Sequence, residues 1–152
     1  MQRSLIVLII VALAVIAFVV SMDRWPLMSG NSAVSPTPLA DDTFVLYEPL
    51  PEQRGITSPL IVRGKARGTW FFEASFPVTL TNWDGLIIAR HYCEAQGEWM
   101  TTDFVEFECE IEFEEPADIG DFSARGSLIL HKDNPSGLPE YDDAREITVF
   151  YR

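Results

Sequence analysis

Two cysteines, Cys93 and Cys109, are the residues of this chain best suited to covalent chemistry. Each lies in the apolar–polar alternation typical of a β-strand, and a loop near residue 101 separates the two strands. If residue 93 lies opposite residue 109 in an antiparallel hairpin, then residue 95 lies opposite residue 107, so the register is consistent. Outside the cytoplasm such a pair can oxidise. We therefore expect either a disulfide or two buried thiols that pack as small apolar groups.

The other side chains with catalytic or metal-binding potential lack the spacing that such chemistry needs. His91 and His131 are far apart in the sequence and have no serine or cysteine nucleophile motif beside them. Glycoside hydrolysis needs two carboxylates across a cleft, and no pattern selects such a pair here. The loop at residues 133–143 offers oxygen ligands without the EF-hand spacing. The sequence predicts no enzyme, metal site or cofactor; the alternatives are a small hydrolase using acidic residues and a calcium-dependent or carbohydrate-binding module.

Two tryptophans are predicted to lie in loops, where large rings can contact a ligand. Trp83 belongs to the turn signal at residues 82–85, and Trp99 lies in the loop before residue 104. Rings exposed at loop tips can form binding surfaces, including for sugars, whereas buried rings close the end of a core. Trp83 and Trp99 are therefore the candidate ligand contacts of this chain.

The element that positions Cys109 is an alternating segment at residues 105–113. Its valine, isoleucine, cysteine and two phenylalanines occupy one set of alternate positions, and glutamates occupy the other. Successive side chains of a strand point to opposite faces, so this pattern predicts a strand with one buried and one solvated face. A helix would bury some of the glutamates without partners. The outward set is Glu106, Glu108, Glu110 and Glu112.

Short strand patterns recur along the rest of the chain after residue 43. Alternating or β-branched runs, separated by glycine, proline, asparagine and aspartate, predict strands at residues 44–47, 61–67, 70–80, 86–95, 127–131 and 146–151. Together with residues 105–113 they make about seven strands, without a helical pattern among them. The predicted fold is all-β: an immunoglobulin-like two-sheet antiparallel sandwich of about seven strands, preceded by one N-terminal transmembrane helix.

A basic stripe on the second strand matches the acidic stripe on the fifth. The second and fifth strands of an immunoglobulin-like sandwich are neighbours in one sheet. The same-face cations Arg63, Lys65 and Arg67 would then lie beside the four glutamates. Each exposed cross-strand pair contributes about 0.2–1 kcal/mol, which favours one register without driving folding. The alternatives are a solvated acidic face without a special partner and an acidic surface for a cationic ligand.

The N-terminal region predicts a membrane anchor followed by a linker. Residues 5–22 form an apolar run that spans about 27 Å as a helix, enough for a thin hydrocarbon core. Bulky residues stand where signal cleavage should fall, and a lipoprotein cysteine and a pilin-type glutamate are lacking. We therefore predict an anchor at residues 1–24, a Pro/Ser-rich flexible linker at 25–43 and a domain at 44–152.

Charge predicts where the domain lies and which partners it excludes. Arg3 precedes the apolar run and Arg24 is offset by Asp23, so the positive-inside rule places the N-terminus in the cytoplasm and the domain outside the cytoplasmic membrane, at the cell surface or in the periplasm. The chain has 23 acidic and 11 basic residues; without Asp23, Arg3 and Arg24 the remainder carries 22 and 9, a net charge of −13. This balance opposes nucleic acid and anionic lipid surfaces. The predicted partners are the membrane, through residues 5–22, and an envelope protein or glycan.

One segment resembles a known family motif. Residues 56–66, Ile-Thr-Ser-Pro-Leu-Ile-Val-Arg-Gly-Lys-Ala, are similar to the opening pattern I-x-S-P-L-x-V-x-G-x-A of the bacterial spore-germination immunoglobulin-like domain. An aromatic-rich strand at 70–76, the turn Asp84-Gly85, Trp99 and Pro116 follow in the order of that family. The resemblance covers residues 44–152 and implies an extracytoplasmic, non-catalytic module with a binding or structural role and no catalytic residues. We expect the module to stand alone on an anchor here, unlike in the multidomain members.

Overall fold

The regular secondary structure of the described part of the chain is almost entirely β-strand, as predicted. The computed structural model describes residues 37–116, 120 and 122–151. Short 3-10 helices at Gly68–Trp70 and Pro139–Tyr141 lie in connections between the strands of this part. The strands are β1 (Phe44–Glu48), β2 (Leu60–Arg67), β3 (Ser75–Thr81), β4 (Ile87–Ala95), β5 (Phe104–Ile111), β6 (Arg125–His131) and β7 (Ala144–Phe150).

All strand pairs are antiparallel, and the ladder joins them into one seven-stranded sheet in the order β1-β2-β5-β4-β3-β6-β7. The expected neighbours β2 and β5 pair along their whole length, from Leu60 opposite Ile111 to Arg67 opposite Phe104. The sheet curls over a core to which both of its halves contribute. The ring of Phe44 on β1 lies 6.2 Å from that of Phe76 on β3, although three strands separate them in the sheet order.

The prediction of two separate sheets needs correction. β4 pairs with β3 along most of its length but with β5 at Glu94 and Ala95. This short contact bridges the β1-β2-β5 half to the β4-β3-β6-β7 half. The two halves therefore enclose the core as the sheets of a sandwich do, while one continuous ladder connects them.

The alternation predicted for residues 105–113 is confirmed. Val105, Phe107, Cys109, Ile111 and Phe113 are buried, while the glutamates between them face outward. Phe107 lies at the centre of an aromatic cluster, with its ring 4.9 Å from Phe76 and 5.3 Å from Phe44. Such ring pairs contribute about 0.5–1.5 kcal/mol beyond the area that they bury. The apolar face of β5 is therefore the middle of the core.

The strand predicted at residues 70–80 is wrong in its first five residues. Trp70 ends a 3-10 turn, and Glu73 and Ala74 adopt positive φ angles of 51° and 63° before β3 begins at Ser75. The apolar phase changes at this turn: Trp70 and Phe71 are buried, whereas Phe72 is exposed. A turn shifts which side chains face the core, and period-2 counting across it cannot detect that shift.

The outer strands of the sheet are covered by the chain itself. Leu39 and Asp41, which the sequence assigned to the linker, exchange backbone hydrogen bonds with β1, where Leu46 N–H donates to Leu39 O and Asp41 N–H donates to Phe44 O. At the other edge of the sheet, Glu52 N–H donates to Thr148 O and Ile56 N–H donates to Phe150 O, both on β7. Such covering removes the unpaired edge that would otherwise promote edge-to-edge association.

The predicted membrane anchor at residues 5–22 lies outside the described residues. Within residues 37–116, 120 and 122–151, no helix has the length and apolar character needed to cross a membrane.

Candidate functional site

The strand directions place the two candidate tryptophans at opposite ends of the domain. We call the end where residues 37–43 lead into β1 the near end, and the opposite end the far end. The start of β1 pairs with the end of β2, and the end of β2 pairs with the start of β5. The last residue of β4, Ala95, pairs with Phe107 near the start of β5. β4 therefore ends at the near end, and Trp99 in the β4–β5 loop belongs to that end. Trp83 belongs to the β3–β4 turn at the far end. The two rings therefore cannot form one binding surface.

Trp83 is part of an exposed apolar surface at the far end. Its ring lies 5.7 Å from that of Phe122 in an edge-to-face arrangement, and the Arg125 guanidinium lies 4.8 Å from the Phe122 centroid. Leu86, which follows in the same turn, and Ile87, the first residue of β4, are also exposed. We call Trp83, Leu86, Ile87 and Phe122 the far-end patch. The sequence analysis missed Phe122, because no pattern in its loop indicates that it meets Trp83.

Trp99 is less exposed than Trp83. It is partly buried and packs against the core, and its carbonyl oxygen would lie 2.3 Å from a Cβ atom at Gly68. The neighbouring Met100 is exposed and lines a shallow depression of about 510 Å³ together with Trp99 and Thr101. Trp99 thus packs against the near end of the core and also lines this depression, and its role as a ligand contact stays a prediction.

The charge stripes lie side by side, but their cations do different things. Arg63 lies opposite Glu108 and donates to both of its carboxylate oxygens, at 2.9 and 3.2 Å. The hydrogen bond from Arg63 lowers the pKa of Glu108. Lys65, opposite Glu106, and Arg67 lie over the ring of Phe104, at 5.1 and 4.1 Å.

The acidic partners of this stripe extend beyond its basic ones. Glu106 accepts a hydrogen bond from the Tyr47 hydroxyl, Glu110 lies opposite Ile61, and Glu112 follows the end of β5. Glu110 and Glu112 are therefore left facing solvent, next to the region where β5 and β4 diverge.

The two cysteines are joined in the structure. Cys93 and Cys109 form a disulfide with a Cα–Cα distance of 4.6 Å, and both are buried. The neighbouring pairs Glu94 opposite Glu108 and Ala95 opposite Phe107 give the register expected from the sequence. A Cα separation near 4.5 Å is typical of directly opposed residues that exchange no backbone hydrogen bonds. The disulfide therefore fixes β4 to β5 at the end of their short ladder.

The acidic loop at residues 133–143 forms one wall of an open depression of about 520 Å³ at the near end. Its lining includes His131, Asp133 and Asp142. Burial raises the pKa of Asp133. Asn134 donates to Asp142 and to the backbone of Leu138, so the loop is closed by its own hydrogen bonds. Across the ranges that the structure describes, no group of three or more histidine, cysteine, aspartate or glutamate side chains could hold a metal ion.

An ion-pair cluster holds the segment that leads into β1. Arg145 of β7 donates to the Asp41 carboxylate at 2.6 Å, to Asp143 and to the Thr43 hydroxyl at 3.0 Å, and it lies over the Trp70 ring at 5.1 Å. Burial raises the pKa of Asp41, but the hydrogen bonds from Arg145 and Thr43 outweigh this effect, so its pKa lies well below the usual range. This cluster connects the N-terminal segment of the domain to its last strand.

We expect the Asp41→Asn variant to be less stable than the wild type at pH 7, by about 1 kcal/mol, since the pair is partly exposed and screened by solvent. A carboxylate with a depressed pKa in the folded state stabilises the fold above its unfolded pKa of about 3.9, and this contribution is lost as the pH falls through the folded pKa. The difference between variant and wild type in urea unfolding should therefore shrink below about pH 4. Asp42→Asn is the matched control, because Asp42 engages Arg67 through its backbone oxygen. A difference that stays constant from pH 7 to pH 2 would contradict this assignment.

The described residues thus define an immunoglobulin-like β-domain with an exposed apolar patch at its far end and exposed charge stripes on β2 and β5. A family model described as the immunoglobulin-like domain of bacterial spore germination matches residues 45–127, and the chain belongs to this family. The matched region begins in β1 and ends in β6, so it contains the disulfide, the charge stripes, Trp83 and Trp99. Comparison with curated proteins and with solved structures finds no match.

Proposed function

We propose that this chain is a membrane-tethered, extracytoplasmic immunoglobulin-like module with a non-catalytic binding role at the bacterial cell envelope. Family membership supports a non-enzymatic structural or binding module. The apolar run at residues 5–22 and the linker composition after it support the tether. The net charge of the part beyond residue 24 opposes nucleic acid as a partner.

The observation that carries the proposal is that the N-terminal segment and the exposed apolar patch lie at opposite ends of the domain. The N-terminal segment reaches the domain at the near end, where Asp41 and Arg145 hold it. The far-end patch, with Trp83 about half exposed at 48% and Phe122 at 68%, lies at the other end of the strands. Monomeric domains seldom expose large contiguous apolar surface unless it contacts something. The point at which the linker enters the domain and the far-end patch therefore lie at opposite ends of the strands, so the linker entry does not cover the patch.

The mechanism of such a module is an increase in local concentration. A Pro/Ser-rich linker is semi-extended, so it holds a domain tens of ångströms from its attachment point while allowing it to move. Binding to a partner in the same envelope then becomes an effectively intramolecular event. No step of this mechanism requires a cofactor or a reacting side chain.

Cell fractionation and protease protection of the full chain, expressed in a bacterium with a C-terminal epitope, test this proposal. We expect the epitope in the membrane fraction, resistant to carbonate extraction, and we expect protease added to spheroplasts to remove it. As a matched control, a Leu8→Arg/Val11→Arg variant inserts charges into the apolar run and should reduce membrane retention at least tenfold, since each charge at the centre of a span costs about 2.5–3.5 kcal/mol. Recovery of the wild-type chain in the soluble fraction, or protection of the epitope in intact spheroplasts, would contradict the proposal.

A further inference from the structure

One side of β4 lacks the covering that protects the outer strands of the sheet. Residues 39–41 cover β1, and residues 52–56 cover β7. β4 pairs with β3 from Ile87 to Glu94, while on its other side the described ladder to β5 ends at Glu94. Within the residues that the structure describes, the stretch from Ile87 to Cys93 therefore presents an open backbone side. We call this stretch the β4 open side.

The hydrogen-bond alternation identifies which groups point to the β4 open side. Ala95 N–H donates to Ala74 O, just before β3, whereas Gln96 N–H donates to Glu106 O on β5. Because backbone groups of successive strand residues point to alternate sides, even-numbered residues of β4 direct their groups away from β3. Arg90 and Tyr92 thus offer N–H donors and C=O acceptors to a further strand. Pro77, which lacks an N–H, lies opposite Tyr92, as this assignment requires.

The core side of the sheet is also open beside this stretch. His91 pairs with the buried Val78 and so lies on the core-facing side of β4, yet it is exposed. Beyond the disulfide, β4 and β5 diverge around a depression of about 440 Å³. Ile88, Pro59 and Phe113 form its apolar lining, and Glu112 and Glu114 form its acidic lining. The disulfide fixes the point at which the two strands part.

We propose that the β4 open side binds an extended strand of another protein whose side chains alternate between apolar and basic. An unpaired strand side selects extended polypeptide, because backbone hydrogen bonds supply the affinity and alternate side-chain pockets supply the selectivity. The apolar part of the depression accepts side chains from one face of the added strand. The carboxylates of Glu112 and Glu114 favour basic side chains beside them.

Charge also argues against a second copy of this chain as the occupant. Two such domains would each carry a net charge of −13 beyond residue 24, and their mutual repulsion opposes edge-to-edge pairing. The inference names the partner class of the binding module proposed above, and so rests on that proposal, but it does not depend on the membrane tether.

The test uses the purified full chain in detergent and a fluorescein-labelled peptide of about ten residues that alternates valine and lysine. Fluorescence anisotropy should show saturable binding to the wild type and to Tyr92→Ala, which keeps the backbone N–H. Tyr92→Pro removes that N–H without removing a hydrogen bond to β3, and it should weaken binding at least tenfold. A valine–glutamate peptide should bind at least tenfold more weakly than the valine–lysine peptide.

A second comparison does not depend on the folding of the proline variant. The same valine–lysine peptide with alternate backbone amides N-methylated keeps its charge and loses strand pairing, so its binding to the wild type should be at least tenfold weaker. Equal binding of the methylated and unmethylated peptides, or no binding of either to the wild type, would overturn the proposal. Self-association in sedimentation that Tyr92→Pro abolishes would do the same, in favour of a second copy. Failure of the peptide test with intact membrane retention would remove this inference and leave the tethered module standing.

Discussion

Replacing Gly64 with alanine is expected to destabilise the domain by about 3 kcal/mol or more. Gly64 lies in the middle of β2, between Leu46 of β1 and Phe107 of β5. A Cβ atom there would lie 2.3 Å from the Val45 carbonyl oxygen and 2.6 Å from Cζ of Phe107. The carbonyl belongs to the β1–β2 ladder and the ring to the aromatic centre of the core, so neither can move without breaking other contacts. The measurement is the free energy of unfolding from urea denaturation.

Gly120→Ala is the matched control for this variant. A Cβ atom at Gly120 would have Ser123 Oγ as its nearest neighbour, at 4.0 Å, so its effect should stay within about 0.5 kcal/mol. Because both variants replace glycine with alanine, the difference in their free energies of unfolding reports the effect of position alone. If Gly64→Ala unfolds at the urea concentration of the wild type, then the close approach of β1 and Phe107 to β2 is not as the structure has it.

Reduction of the Cys93–Cys109 disulfide should also destabilise the domain by about 3 kcal/mol. The bond joins residues 16 positions apart, and a loop of about this length loses that much closure entropy in the unfolded chain. The bond also lies where β4 and β5 have their short ladder, so its loss weakens the bridge between the two halves of the sheet. Urea unfolding with and without a reductant measures this contribution as a fall in the transition midpoint.

The double variant Cys93→Ala/Cys109→Ala serves as the control, because its unfolding should not respond to reductant. Thiol titration of the unfolded, non-reduced wild type gives an independent readout and should find no free thiol. Coincident unfolding curves together with two titratable thiols would support the other alternative that the sequence left open, in which both cysteines pack as buried thiols.

The sequence predicted the strands well where one face is buried and the other is wet. The glutamates and apolar residues at 105–113 alternate without interruption, and a side-chain period of 2 fits only an extended chain with two different faces. The motif at residues 56–66 predicted the family, and its glycine now has a physical reason, since β1 and Phe107 leave no room for a side chain at Gly64. The cysteine register followed from the same alternation, because the hairpin sets which residues are opposite.

The sequence failed where the outcome depends on a turn or on distant segments. The positive φ angles of Glu73 and Ala74 changed the phase of the run at residues 70–80, and neither residue type signals that conformation strongly. Phe122 meets Trp83 only because both follow strands that end at the same side of the sheet. Arg145 meets Asp41 across most of the domain's sequence, and an arginine in a strand does not indicate which carboxylate it will contact.

Local patterning therefore determined most of the strands of this domain, which of their faces are apolar, and to which family the chain belongs. Only the tertiary structure decided that β4 pairs with β5 at two residues and then diverges from it, that the two candidate tryptophans lie at opposite ends, and that residues 39–41 and 52–56 cover the outer strands while one side of β4 stays open. The physical reason is the separation in sequence over which each effect acts. Side-chain alternation acts between neighbours along the chain, whereas strand order and the covering of edges depend on contacts between segments far apart in the sequence, whose positions only the packed core fixes.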